Sequence, residues 1–131
     1  MVSLGRWLGL GTTRETGDAG EARALAHLQA QGLKLVARNY RVGNGPHRPA
    51  GEIDLILRER DGTLVFVEVR WRRGDRHGGA AATVSRSKQR HLVHAAQHYL
   101  LQFATPPRCR FDVVAIDGNE LQWLKGAFEA G

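Results

Sequence analysis

The residues best suited to chemistry are acids that stand inside two apolar segments. Asp54 lies within residues 51–57, and Glu68 lies within residues 64–70. Both segments have the composition and alternation of β-strands. Acidic residues are depleted in strands and costly to bury. Their presence therefore indicates either a solvated sheet face or a site that uses the carboxylates.

The turn between the two segments decides which of these side chains face each other. A two-residue loop would set Asp54 opposite Val69 and mix charged with apolar residues on both faces. A three-residue loop, with Gly62 in a left-handed conformation, sets Asp54 opposite Glu68. Because register follows the hydrophobic pattern, the sequence favours the three-residue loop.

This register gathers the charged residues of the hairpin on one face. The charged face carries Glu52, Asp54, Glu68 and Arg70, and the apolar face carries Ile53, Leu55, Leu57, Val65, Val67 and Val69. Opposed like charges repel, so the two central acids require water or a cation between them. Hard oxygen ligands suit Mg²⁺. A half-solvated antiparallel sheet with ordinary surface acids is the alternative.

Composition and charge indicate a globular domain with a polyanionic partner. The chain has 131 residues, 42% of them hydrophobic, and a net charge of +6. Its single cysteine, Cys109, excludes an internal disulfide and fits a cytoplasmic location. No run approaches the roughly 18 apolar residues of a membrane span. We expect a flexible arm over residues 1–16, one domain over 17–124 and a short tail over 125–131.

Hydrophobic spacing predicts the element order α-β-β-β-α-β-β. The predicted elements are a helix over 17–31 with Asp18 as its N-cap, a strand over 33–42, the two hairpin strands, a helix over 85–103, and strands over 109–116 and 120–124. Three strands would form an antiparallel meander, and the second helix would cross over to a strand parallel to the third. The expected class is α/β, a mixed central sheet flanked by helices.

Two motifs in this order resemble the core of PD-(D/E)XK nucleases. They are Gly51-Glu52-Ile53-Asp54 and Val65-Phe66-Val67-Glu68-Val69-Arg70, and further matching pieces are Gly20-Glu21, Arg38-Asn39-Tyr40-Arg41, Gly78-Gly79, Lys88-Gln89 and Arg110-Phe111-Asp112. Over about residues 17–116 the chain is similar to the bacterial YraN-like family of predicted endonucleases. The resemblance implies a restriction endonuclease-like αβββαβ core, related to Holliday junction resolvases. It also implies Mg²⁺- or Mn²⁺-dependent cleavage of DNA, with branched or damaged DNA as candidate substrates.

The resemblance assigns roles to individual residues. Asp54, Glu68 and the main-chain carbonyl of Val69 would hold the metal at the scissile phosphate. Glu21 matches an additional acid on the first helix of the resolvase-like branch. Its spacing from Asp18 is also that of a capping box, so a purely structural role stays open.

Arg70 departs from the motif, which normally has lysine at this place. Arginine stays protonated and cannot act as a general base, although it can clamp a phosphate. Lys88, in the first turn of the second helix, is the candidate substitute, and a lysine that merely snorkels to solvent is the alternative. A catalytically degenerate module that binds nucleic acid is the second functional hypothesis. A protein-interaction domain is the third.

Basic residues on both sides of the acids favour contact with nucleic acid. The expected contact residues are Arg70, Arg72, Arg73, Arg76, Arg86, Lys88 and Arg90. Such contacts make binding strongly dependent on salt. DNA is the expected partner, and the resolvase-like relatives imply a homodimer.

Overall fold

The computed structural model describes residues 12–43, 49–72 and 84–130, and describes side chains within 18–43, 51–71 and 84–130. The helices are α1 (Thr12–Ala30) and α2 (Arg86–Leu100), and the strands are β1 (Lys34–Gly43), β2 (Pro49–Arg58), β3 (Leu64–Arg72), β4 (Cys109–Asp117) and β5 (Glu120–Phe128). The order is the predicted one. Most of the expected N-terminal arm lies outside the described residues.

The five strands form one mixed sheet in the order β1-β2-β3-β4-β5. Strands β3 and β4 are parallel, and every other neighbouring pair is antiparallel. The helix α2 provides the connection that a parallel pair requires. This arrangement confirms the expected α/β class and is consistent with a restriction endonuclease-like core.

The two helices cover opposite faces of the sheet. On the α1 face, Ala24 and Leu28 pack with Leu55, Leu57, Val65, Val67, Val114 and Ile116. On the α2 face, Leu92, Ala95, Ala96 and Tyr99 pack with Ile53, Ile56, Leu64, Phe66 and Phe111. Each face therefore has its own apolar core, and the central strands are buried on both sides.

The β2–β3 hairpin has the predicted three-residue loop. The backbone N–H of Glu59 donates to the carbonyl of Thr63 at 2.9 Å, and that of Gly62 donates to the carbonyl of Glu59 at 2.9 Å. Gly62 has a φ of 94°, as the bulged turn requires. Leu55 pairs with Val67, which confirms the register chosen from the hydrophobic pattern.

The prediction that all apolar residues of the hairpin share one face is wrong at one position. Ile53 packs on the α2 face, whereas Leu55 packs on the α1 face. Strand β2 therefore changes face at the residue between them, Asp54. In β1 the residue between the partners of Leu55 and Ile53 is Asn39, whose φ is 49°. A left-handed residue interrupts the alternation of side chains between the two faces of a strand. Here the alternation is interrupted at facing positions of β1 and β2.

Three element boundaries differ from the prediction by three or more residues. Helix α1 already begins at Thr12, so Asp18 lies inside it and is not the N-cap. A glycine within a helix costs only about 1 kcal/mol, and Gly17 did not stop this one. Helix α2 ends at Leu100, and β5 extends to Phe128. No helix in the described part of the chain is both long and apolar enough to cross a membrane.

Candidate metal-binding site

Asp54 lies where strands β2 and β3 separate. The last backbone pair that joins the two strands at this end is Leu55 with Val67. Beyond it, the N–H of Val69 donates to Oδ2 of Asp54 at 2.8 Å. The carboxylate thus takes the place of a backbone acceptor. It is held between the two strands, within reach of both faces of the sheet.

Glu68 is the most deeply buried acid of the site, with an exposed fraction of only 4%. Its Oε2 lies 3.8 Å from Nζ of Lys88 and 3.9 Å from Nη1 of Arg70. Among the described residues its Oε1 has no hydrogen-bond partner. Buried polar atoms without partners are rare, and each one asks for an explanation such as a bound ion or water.

Burial raises the pKa of both central acids. Burial, and then the negative charge of Asp54, raises the pKa of Glu68 to about 8, although Lys88 opposes the shift. Burial also raises the pKa of Asp54, against the hydrogen bond from Val69 and the charge of Lys88. The site is therefore short of positive charge, and a cation near the two acids would be stabilised.

A third acid approaches from helix α1. Glu21 is 9% exposed, and its pKa is raised first by burial and then by the charge of Asp54. With the amide of Asn39 turned so that its nitrogen faces Glu21, that nitrogen lies 3.2 Å from Oε2 and 3.3 Å from Oε1. Because α1 begins at Thr12, the capping-box interpretation of Glu21 is wrong.

Glu52 does not share a face with Glu68, which corrects the predicted four-residue charged face. Its neighbour Ile53 packs on the α2 face, so Glu52 lies on the opposite side. There its Oε2 is 3.5 Å from Nε of Arg41. Glu68 lies on the α2 side, with Lys88. The change of face at Asp54 separates two acids that a regular strand would place together.

The basic residues divide into two groups. Lys88 and Arg70 reach Glu68, as described above. Arg86 and Arg90 instead line a groove of about 470 Å³ between α2 and the residues that follow β5. None of the three acids of the site lines this groove. The side chain of Arg72, and the residues Arg73 and Arg76, lie outside the described part of the structure.

Close contact between α2 and β2 brings Lys88 to the acids. A Cβ on Gly51 would lie 2.4 Å from the carbonyl oxygen of His91, so only glycine permits this approach. Ser85 caps the helix by accepting a hydrogen bond from the backbone N–H of Lys88 at 3.0 Å. Both contacts fix the first turn of α2 above the strands.

The donors present fit a hard divalent cation. Asp54 and Glu68 offer carboxylate oxygens, and Val69, whose carbonyl is the third expected ligand, directly follows Glu68 in the chain. Within the described ranges no group of three or more His, Cys, Asp or Glu side chains is arranged to hold a metal. Mg²⁺ does not need such a group, because it typically uses one or two carboxylates together with waters and substrate phosphates.

Sequence reasoning gave no role to Asn39 or to Gly51. Asparagine is one of the few residues that enter the left-handed region, and a glycine inside a strand often marks close approach of another backbone. Both signals were present in the sequence. However, neither signal identifies the contact that the residue makes. Asn39 contacts Glu21 and Gly51 approaches His91, and both partners are distant in the sequence.

Comparison with known proteins gives a consistent family. The model of an uncharacterised protein family, UPF0102, matches residues 20–116. A UPF0102 protein of Methylibium petroleiphilum is 65% identical, with 91% of this chain and 98% of the relative covered. Relatives from Acidovorax sp. and Paracidovorax citrulli, also UPF0102 proteins, are 64% and 61% identical; 91% and 92% of this chain and 88% and 87% of the relatives are covered.

Proposed function

The chain belongs to the uncharacterised protein family UPF0102, and we propose that it is a Mg²⁺- or Mn²⁺-dependent endonuclease that hydrolyses phosphodiester bonds in DNA. The observation that carries the proposal is Glu68, a buried acid whose Oε1 has no hydrogen-bond partner among the described residues. It lies beside a second, half-buried acid, Asp54. Buried acids with perturbed pKa values and incomplete hydrogen bonding are typical of functional sites. The YraN-like family named from the sequence motifs agrees with this membership.

Asp54, Glu68 and the carbonyl of Val69 would hold the cation. When bound, it would supply Lewis-acid stabilisation of the phosphate and a water of lowered pKa. The protein's own part is to fix these oxygens before substrate arrives. Asp54 is fixed by the N–H of Val69, and Glu68 is fixed by burial between β3 and α2.

The two cationic side chains at Glu68 have separate roles in this proposal. Arg70 presents a guanidinium that binds a phosphate oxygen, and it holds the scissile group against the acids. Lys88 approaches from α2, the opposite side of the acid pair from Glu21. Its ammonium group orients the attacking water and stabilises the charge that develops on the phosphate. Lys88 thus takes the place of the motif lysine that Arg70 has replaced.

DNA is the proposed substrate because the site is acidic at its centre and basic around it. The net charge of +6 attracts a polyanion. The site lies at the surface where β2 and β3 separate, with Arg70 33% exposed and Lys88 36% exposed in their side chains. Such exposure lets both cations reach a phosphate without rearrangement of the core.

Cleavage assays with a matched variant test the proposal. Labelled duplexes, single strands and four-way junctions are incubated with the protein and Mg²⁺ or Mn²⁺. We expect cleavage by the wild type and none by Asp54→Asn. Identical behaviour of the two proteins on every substrate would overturn the proposal.

One observation favours a second candidate function. Arg70 at the motif lysine position would suit a module that binds nucleic acid without cutting it, because arginine clamps phosphate but cannot take a proton. This candidate predicts tight, salt-sensitive binding of DNA or RNA with no metal-dependent cleavage. The same assays, read by mobility shift at several salt concentrations, distinguish the two functions.

A further inference from the structure

Asn39 has a left-handed backbone conformation, which asparagine adopts more readily than most other residues. It is the only non-glycine residue with a positive φ in the described part of the chain, at 49°. Its side chain is exposed, so packing in a core does not explain the choice of asparagine. Glycine would adopt this conformation without a steric penalty. Compared with glycine, asparagine adds a side-chain amide at this position.

The amide reaches one partner, the carboxylate of Glu21. The side-chain nitrogen lies 3.2 Å from one oxygen and 3.3 Å from the other. An amide nitrogen carries two hydrogens, so it can donate to both oxygens. Glu21 is 9% exposed and comes from α1, whereas Asn39 lies on β1. The contact therefore joins two elements and fixes the orientation of a buried carboxylate.

The place of Asn39 in the sheet links it to the metal-binding site. Arg38 pairs with Leu55 and Tyr40 pairs with Ile53, so Asn39 lies across from Asp54. The same interruption that turns Asp54 between the strands brings the amide of Asn39 to Glu21. Glu21 is close enough to Asp54 for the two charges to interact.

We propose that Asn39 is a positioning residue: it holds the Glu21 carboxylate toward Asp54, so that Glu21 strengthens cation binding at the site. Asn39 itself touches neither cation nor substrate in this proposal. The inference rests on the proposed function, since Glu21 needs a fixed orientation only if these acids serve a bound cation. Outer contacts that orient metal-binding groups typically change affinity by about 10–100-fold.

The variant Asn39→Gly isolates the amide from the backbone. Glycine accepts the same φ, so the strand keeps its path while the two hydrogen bonds to Glu21 are lost. Glu21→Gln removes the charge that the amide holds, and the double variant completes a cycle. Lys34→Gly is the matched control, because it places a glycine at another exposed position of β1.

Titration calorimetry with Mn²⁺ is the measurement. We expect Asn39→Gly and Glu21→Gln each to weaken Mn²⁺ binding by about tenfold, and the double variant to bind no more weakly than Glu21→Gln alone. Lys34→Gly should bind Mn²⁺ as the wild type does. The proposal is overturned if Asn39→Gly binds like the wild type, if the two losses multiply, or if the wild type binds no Mn²⁺.

A second measurement tests the proposal without Asn39→Gly, in case that variant does not fold. In NMR spectra of the folded wild type and Glu21→Gln, the side-chain amide protons of Asn39 should differ in chemical shift. Unchanged shifts would overturn the proposal. Failure of the proposed nuclease function looks different: Mn²⁺ would bind and depend on Asn39 as described, and no DNA would be cleaved.

Discussion

The N–H of Val69 donates to the carboxylate of Asp54 at 2.8 Å, immediately beyond the last backbone pair of the β2–β3 ladder. A side chain thereby completes a hydrogen bond that a backbone carbonyl would make in a regular sheet. The contact opens the sheet and fixes an acid in the opening at the same time. The position of Asp54 depends on the backbone of β3, and it should therefore survive substitution of the side chains around it.

Replacement of Asp54 by asparagine should separate cation binding from folding. The amide oxygen of asparagine can still accept the hydrogen bond from Val69, so the fold should be retained. We expect Mn²⁺ affinity, measured by calorimetry, to fall by more than about a hundredfold, the upper end of the effect of outer contacts. Asp61→Asn is the matched control in the same hairpin, since the Asp61 carboxylate accepts only from its own turn, at Thr63. An equal loss in both variants would contradict the assignment.

The raised pKa of Glu68 should make the protein less stable as pH rises. The folded protein keeps the Glu68 proton up to about pH 8, whereas the unfolded chain loses it near 4.5. Between these values the folded state binds more protons, so the free energy of unfolding falls with increasing pH, by at most roughly 1.4 kcal/mol per pH unit for one group. The raised pKa of Asp54 acts in the same direction.

Urea denaturation of the cation-free protein at several pH values measures this slope. Glu68→Gln removes the ionisable group and should flatten the dependence, while Glu120→Gln, at an exposed position, should not. A cation that binds the ionised acids should reverse the trend, because its stabilisation grows as the protons leave. An unchanged slope in Glu68→Gln would show that another group carries the pH dependence.

Lys88 should contribute to cleavage more than to DNA binding. We expect Lys88→Ala to lower kcat by about a hundredfold, within the range for a group that acts on a transferring proton or charge. Arg86→Ala, also in the first turn of α2, should mainly weaken binding and reduce its salt dependence. Kinetics at saturating DNA separate the two effects. A loss confined to KM in Lys88→Ala would assign Lys88 to binding alone.

Gly51→Ala should destabilise the protein more than Gly20→Ala. A Cβ on Gly51 would lie 2.4 Å from the backbone oxygen of His91, which cannot move without moving α2. A Cβ on Gly20 would lie 2.7 Å from the ring of Trp71, a side chain that can shift. We expect a loss of about 1–3 kcal/mol for Gly51→Ala, the usual cost of overpacking. Urea denaturation of both variants gives the order, and a smaller loss at Gly51 would contradict it.

The sequence was sufficient to predict the fold and the neighbourhood of the two central acids. Loop length and alternation are local properties, and they gave the register that places Leu55 opposite Val67. The place of Lys88 in the first turn of the second helix also made it a candidate, and its charge lies beside Glu68. These predictions depend on short-range pattern, which a single sequence contains.

The change of face at Asp54 was not predictable in the same way. The alternation within its own segment places Ile53 on the same face as Leu55, yet Ile53 packs against α2. The change coincides with a left-handed residue in the neighbouring strand, Asn39, which lies across from Asp54. A pattern within β2 contains no information about that residue. The separation of Glu52 from Glu68 follows from the same event and was missed for the same reason.

The pairing of β3 with β4 has a consequence for how the site matures during folding. Glu68 pairs with Val113, and Leu64 with Cys109, across a long connection that includes α2. Hairpins close within microseconds, whereas pairs distant in sequence form late because their loop entropy must first be overcome. In the unfolded chain the acids of the hairpin are hydrated, and near neutral pH they are ionised. Near neutral pH, folding of the cation-free protein should therefore take up a proton at Glu68.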